Sequence, residues 1–237
     1  MPQPIALYYF GSPNTRKITV MLEELGAPYR IVPIQMSRKD PSRTDYTELF
    51  PSQKVPGIFD PEGPDGKPVA IFESGAILKY LAEKFGRFYG RNWAERIEID
   101  KWLFWQVGGL GPLLGQAEHF TDAGREVIPY AIKRYVDESR RLYGVLEGQL
   151  LRQRARGVEW VAGEGMSIAD FACFGWARKF KDVKIDEAGF PAVSQWLAQI
   201  NARPATQRAL AITVPSPVPD PTDEIAAHLE MLKAARN

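Results

Sequence analysis

Residues 72–86, FESGAILKYLAEKFG, hold the turning point of this sequence. Phe72 closes the apolar run VAIF, and a helical pattern of apolar residues follows from Ser74 to Lys84. Ser74 has the side chain of an N-cap, and its hydroxyl with the first helix amides can hold a ligand carboxylate. Glu73 beside it can hold an ammonium. A carboxylate and an amine on one ligand carbon satisfy both, so an amino-acid end group is the natural guest. Capping alone explains Ser74 but leaves Glu73 without a role.

Upstream, the pattern changes period every few residues. IALYYF reads as a buried strand, Thr15 to Leu25 as a helix stopped at Gly26, YRIVPI as a second strand and SRTDYTELF as a short helix. VPGIF and VAIF are short strands joined by DPEGPDGKP, which is hairpin-turn material. The order βαβ, α, ββα predicts a four-stranded mixed sheet flanked by helices. Downstream of KFGRFYGR the strands stop, and IEIDKWLFWQVGGL, EVIPYAIKRYVDESRRLYGVLEGQLL, SIADFACFGWARKF and FPAVSQWLAQINARPATQRAL all read as helices. The fold class is α/β plus all-α, with domains at 1–87 and 92–212 and a proline-rich arm with a short helix at 213–237.

Composition narrows the chemistry. Thirty basic against 29 acidic residues, interleaved, provide no stripe for steering nucleic acid. No apolar stretch suits a bilayer, and the N-terminus lacks the basic start and cleavage site of a secretory signal, so a cytoplasmic protein is expected. One cysteine, Cys173, and two histidines, His119 and His228, exclude an intramolecular disulfide, CxxC redox chemistry and a cysteine-built metal site. No metal is expected. Cys173 lies in the strongly apolar FACFGWA and reads as a buried filler.

Three further stretches carry candidate chemistry. In SPNTRK, Ser12 and Asn14 can donate beside the amides of the first helix, favouring an incoming thiolate or carboxylate. Each unit by which a thiol is lowered from about 8.5 corresponds to about 1.4 kcal/mol of preference for the anion. The same residues also read as ordinary helix caps. In QKVPGIF, a cis peptide between Val55 and Pro56 would turn the Val55 backbone toward an extended peptide ligand. In the helical half, Arg134, Glu138 and Arg141 share one helix side, either as a solvated face or with an arginine facing a cleft. SIAD, residues 167–170, has the form of a reciprocal cap with a folding role.

Taken together, SPNTRKITVMLEELG, FPSQKVPGIFD, FESGAILKYLAEKFG and SIADF resemble the cytosolic glutathione transferases, and LFWQVGGLGPLLGQAEHF resembles their bacterial Nu class and the related fungal nitrogen-regulator branch. The resemblance implies a thioredoxin-like N-terminal domain, a helical C-terminal domain and a homodimer that binds glutathione as cosubstrate. It implies that Glu73 and Ser74 hold the γ-glutamyl end, that Val55, before a cis Pro56, pairs its backbone with the cysteinyl part, and that Arg134 reaches carboxylates. Where relatives carry a glutamine in the loop before the second helix this chain departs from them, and Lys39 or Arg38 is the candidate to cover a carboxylate there. Small polar residues after the first strand, here Ser12, Asn14 and Thr15, take the place of a catalytic tyrosine or cysteine. The implied activity is glutathione-dependent reduction of a small disulfide, with weak transferase activity. Conjugation of an electrophile, peroxide reduction and non-catalytic regulatory binding are the alternatives. Trp102, Phe104, Trp105 and Trp176 are aromatic candidates for a second-substrate pocket.

Overall fold

The computed structural model describes residues 2–35, 43–122 and 126–236. Strand β1 (Ile5–Tyr9) is buried at all five positions, as its unbroken apolar run demands of a central strand covered on both faces. It pairs parallel with β2 (Tyr29–Pro33) and antiparallel with β3 (Gly57–Asp60), which pairs antiparallel with β4 (Val69–Phe72). The order β2-β1-β3-β4 is the expected four-stranded mixed sheet of a thioredoxin-like unit.

Helix α1 (Pro13–Leu25) starts two residues before the expected Thr15, because Ser12 caps it and proline, lacking an N–H, suits its first position. It ends as expected at Gly26, whose φ of 63° is left-handed, with the Ala27 amide bonded to the Leu22 carbonyl. Helix α2 (Arg43–Leu49) follows, and α3 (Ser74–Phe85) comes after β4. Gly57 opens β3 where the Phe50 ring lies 2.7 Å from the position a Cβ would take, so a side chain there would displace the ring.

The chain divides into two compact units, residues 1–81 with 208–237, and residues 82–207. The closing helix α10 (Thr222–Ala234) belongs to the first unit. Its Ile225 and Leu229 join Tyr8, Val32, Tyr46, Phe50 and Phe59 in one buried cluster. His228 is buried in this layer and stacks on Phe59 with ring centroids 3.8 Å apart. Its Nε2 lies 3.3 Å from an Arg30 amino group, and its Nδ1 lies 2.6 Å from the Tyr8 hydroxyl. A guanidinium only donates, so Nε2 is the acceptor, and Nδ1–H donates to Tyr8. Burial and then the Arg30 charge push the imidazole down to about 4.

The second unit is helical. Helices α4 (Trp93–Trp105) and α5 (Gly111–Thr121) run on through a π-helical turn, Gln106–Leu110, where the sequence predicts a helix over residues 97–110 alone. Then come α6 (Pro129–Arg154), α7 (Ile168–Ala177), α8 (Pro191–Asn201) and α9 (Pro204–Ala211), whose last residues fall in the first unit. Every residue of α7 except Trp176 is buried. The expected reciprocal cap is present at its start: Asp170 accepts from the Ser167 amide at 2.9 Å. The same carboxylate accepts from the Val161 amide and Trp196 Nε1, each at 2.9 Å. Burial pushes its pKa up to about 6, with these donors pulling the other way.

Candidate functional site

Sheet register brings three of the predicted stretches to one end of the first unit. Tyr8 lies opposite Gly57, and Gly57 opposite Phe72, so these three residues form one row across β1, β3 and β4. β1 leaves this row toward Ser12 and Asn14, β3 enters it from Val55 and Pro56, and β4 leaves it toward Glu73 and Ser74. Ser12 and Ser74, 62 positions apart in sequence, are therefore brought to the same end because a mixed sheet alternates its strand directions.

At the start of α1, Ser12 is extended, with φ −120° and ψ 158°, and its Oγ accepts from the Thr15 amide at 3.3 Å. Thr15 Oγ1 accepts in return from the Ser12 amide at 3.1 Å and also faces the Phe10 and Ser12 carbonyls. Thr15 is fully buried, and its hydroxyl is committed to this capping box. Ser12 and Asn14 stay partly exposed at the same helix start, and Phe10 and Gly11 before them are exposed. An anion here meets side-chain donors and the positive end of α1.

The Val55–Pro56 peptide is cis. Tyr46 steadies the loop by donating from its hydroxyl to the Lys54 carbonyl at 2.8 Å, and Val55 packs against the cluster around Tyr8. Glu73 has φ 70°, the left-handed region, in a residue with a side chain. Its carbonyl accepts from the Ile77 amide at 2.9 Å, so the helix begins at Ser74 as expected, but Glu73 takes the N-cap place, one residue before the predicted cap at Ser74. Glu73 is exposed, and Ser74 keeps 7% exposure. Strained backbone of this kind is held where surrounding structure requires it.

The sequence reading missed Lys17. It lies on the buried face of α1, and its Nζ donates to Ser74 Oγ at 3.1 Å, joining α1 to α3. Its spacing was the available signal, since Lys17 falls four residues before Met21 on the stripe that buries Ile18, Met21 and Leu22. Lys39 lies outside the described residues.

Arg134 belongs to the second unit, on the first turns of α6. It lines a concavity of about 550 Å³ with Leu113, Tyr130, Lys133, Asp137 and Glu138. Arg141 binds Glu138 through two hydrogen bonds, of 2.9 and 2.6 Å, which hold the Glu138 carboxyl below the usual range. Of the predicted aromatic residues, Trp102 and Trp105 meet edge to face at 5.1 Å, and Phe104 is 62% exposed. Trp176 packs against α5, 3.1 Å from where a Cβ on Gly115 would stand. Cys173 is fully buried. Among the described residues, no His, Cys, Asp and Glu side chains gather to hold a metal ion, and no helix is long and apolar enough to cross a membrane.

A thioredoxin-like sheet with an acid and a serine after its last strand, followed by a helical unit, defines a glutathione transferase. Residues 11–84 match the glutathione S-transferase N-terminal domain and residues 131–204 the C-terminal domain, and the chain belongs to that family. It is 45% identical over 207 residues to the disulfide-bond oxidoreductase YfcG of Escherichia coli (strain K12), covering 87% of this chain and 94% of that one. A glutathione transferase family member from Pseudomonas fluorescens pf-5, crystallised with two glutathione bound, superposes with TM-score 0.80 at 40% identity over 90% of this chain and 95% of that one. A glutathione transferase from Pseudomonas putida with one glutathione disulfide per subunit does so with TM-score 0.76 at 37% identity, over 88% and 91%.

Proposed function

We propose that this chain is a glutathione-dependent disulfide-bond reductase whose nucleophile is the thiol of bound glutathione. The observation that carries this reading is the start of α1, where Ser12 and Asn14 stand at a helix N-terminus with no cysteine among them. The names of YfcG and of the two glutathione-bound structures support the cosubstrate and the reaction class.

Glu73 holds the amine of the γ-glutamyl end, and Ser74 with the first amides of α3 holds its carboxylate. Val55, before cis Pro56, pairs its backbone with the cysteinyl part. Ser12 and Asn14 stabilise the thiolate. That thiolate attacks one sulfur of a small disulfide, forming a mixed disulfide and expelling one substrate thiolate. A second glutathione thiolate then attacks the glutathione sulfur of that mixed disulfide, giving oxidised glutathione and the second substrate thiolate. Each departing thiolate takes up a proton. The protein contributes positioning and anion stabilisation, not a covalent nucleophile. Arg134 and Lys39 serve carboxylates of the ligands, weak transferase activity accompanies the reductase, and the enzyme acts as a cytoplasmic homodimer of Nu-class type.

The test is turnover of 2-hydroxyethyl disulfide with reduced glutathione. Wild type and Cys173→Ser are expected to turn over alike, and Asn14→Ala to lose about tenfold or more. Loss in a folded Cys173→Ser would overturn the assignment of the nucleophile. No wild-type turnover despite tight glutathione binding would move the protein to conjugation or regulation.

A further inference from the structure

We propose that Lys17 is a positioning residue that orients the Ser74 hydroxyl as a donor toward the α-carboxylate of the glutamyl end of glutathione; this rests on the reading given above. Lys17 is 1% exposed and ranks among the largest fully buried side chains. Its Nζ lies 3.1 Å from Ser74 Oγ in a buried contact.

A lysine ammonium carries donors only, whereas a serine hydroxyl has one proton and two lone pairs. Lys17 occupies one lone pair of Ser74. The remaining proton is thereby directed at a different partner, and that partner has to be an acceptor. A carboxylate is the strongest acceptor in the cosubstrate, and a hydrogen bond to a charged group is about twice as strong as a neutral one. The positive end of α3 acts in the same direction. Ser74 thus discriminates: an acceptor is welcomed, and a donor in its place meets another donor. Anchoring from α1, the helix that also presents Ser12 and Asn14, fixes the glutamyl end relative to the thiol end of the same ligand.

The experiment is isothermal titration of wild type, Lys17→Met, Ser74→Ala and the double variant. The ligands are glutathione and 4-aminobutyryl-cysteinyl-glycine, which keeps the amine and lacks only that carboxylate. Lys17→Met is expected to weaken glutathione at least tenfold and the decarboxylated ligand less than threefold, with the double variant no weaker than Ser74→Ala. Equal losses for both ligands, or no loss for glutathione, would show Lys17 to be packing alone and overturn the proposal. Lys17→Gln, an uncharged donor of similar length, covers the case in which Lys17→Met does not fold. Lys17→Gln is then expected to keep the wild-type preference for glutathione to within threefold, and a Lys17→Gln that loses this preference would show that the donated hydrogen bond does not set it and would overturn the proposal equally. Wild type that binds neither ligand would overturn the underlying reading, a result separate from intact binding with an indifferent Lys17.

Discussion

Glu73 pairs local strain with a ligand role. A side chain in the left-handed region costs about 1–2 kcal/mol, and glycine removes that cost while losing more entropy on folding. Glu73→Gly is therefore expected to keep or raise the melting temperature while weakening glutathione at least tenfold, read by thermal melting beside titration. A lowered melting temperature would show that the Glu73 side chain supports the fold. The sequence put the cap on Ser74 where the structure puts it on Glu73, since a left-handed residue other than glycine or asparagine leaves no mark in composition. Lys17 escaped for a related reason: lysine reads as solvated, and only its position on the α1 stripe argued otherwise.

At the level of elements, capping chemistry was the most legible feature. SIAD announced the start of α7, and Gly26 the end of α1, because both signals act within a few residues. The π-helical turn between α4 and α5 was not legible, since a wider turn keeps nearly the same apolar spacing as an α-helix. Asp170 reaches beyond its cap to the Val161 amide and the Trp196 indole, so it ties α7 to α8 and to the loop after α6. Asp170→Ala leaves these donors buried and unpaired, at about 1–3 kcal/mol for each. A loss of about 3–5 kcal/mol is expected from urea denaturation, most of it recovered in no single surface repair. A loss below 1 kcal/mol would mean that water takes over the acceptor role.

Across the whole molecule, the docking of α10 is the part that sequence did not reveal. Its face of Ile225 and Leu229 finds Tyr8, Tyr46 and Phe59 more than 160 residues earlier, and no local pattern encodes such a pairing. A pH dependence follows from His228. Its folded pKa, about 4, lies below the unfolded value near 6.5, so the unfolded state binds more protons between these limits. Stability of the first unit is then complete above pH 6.5 and falls as the pH drops toward 4, by about 3 kcal/mol in all. The groups facing the ring are Tyr8 on β1, Arg30 on β2 and Glu224 one turn earlier on α10, whose carboxylate 3.9 Å from Nε2 moderates the effect. Hydrogen exchange of β1 and α10 between pH 4.5 and 7 is expected to quicken on the acid side, and His228→Phe to flatten that dependence. An unchanged profile in His228→Phe would assign the acid sensitivity elsewhere.

The return of α10 also orders events during synthesis. A ribosome delivers residues 1–81 first, yet the residues that finish their core, 208–237, emerge only after the entire helical unit has been translated. At about 5–20 residues per second this leaves the aromatic face of β1 and β3 uncovered for on the order of ten seconds. During that interval the nascent chain presents Tyr8, Phe50 and Phe59 to chaperones or to neighbouring chains, and the arrival of α10 ends the exposure.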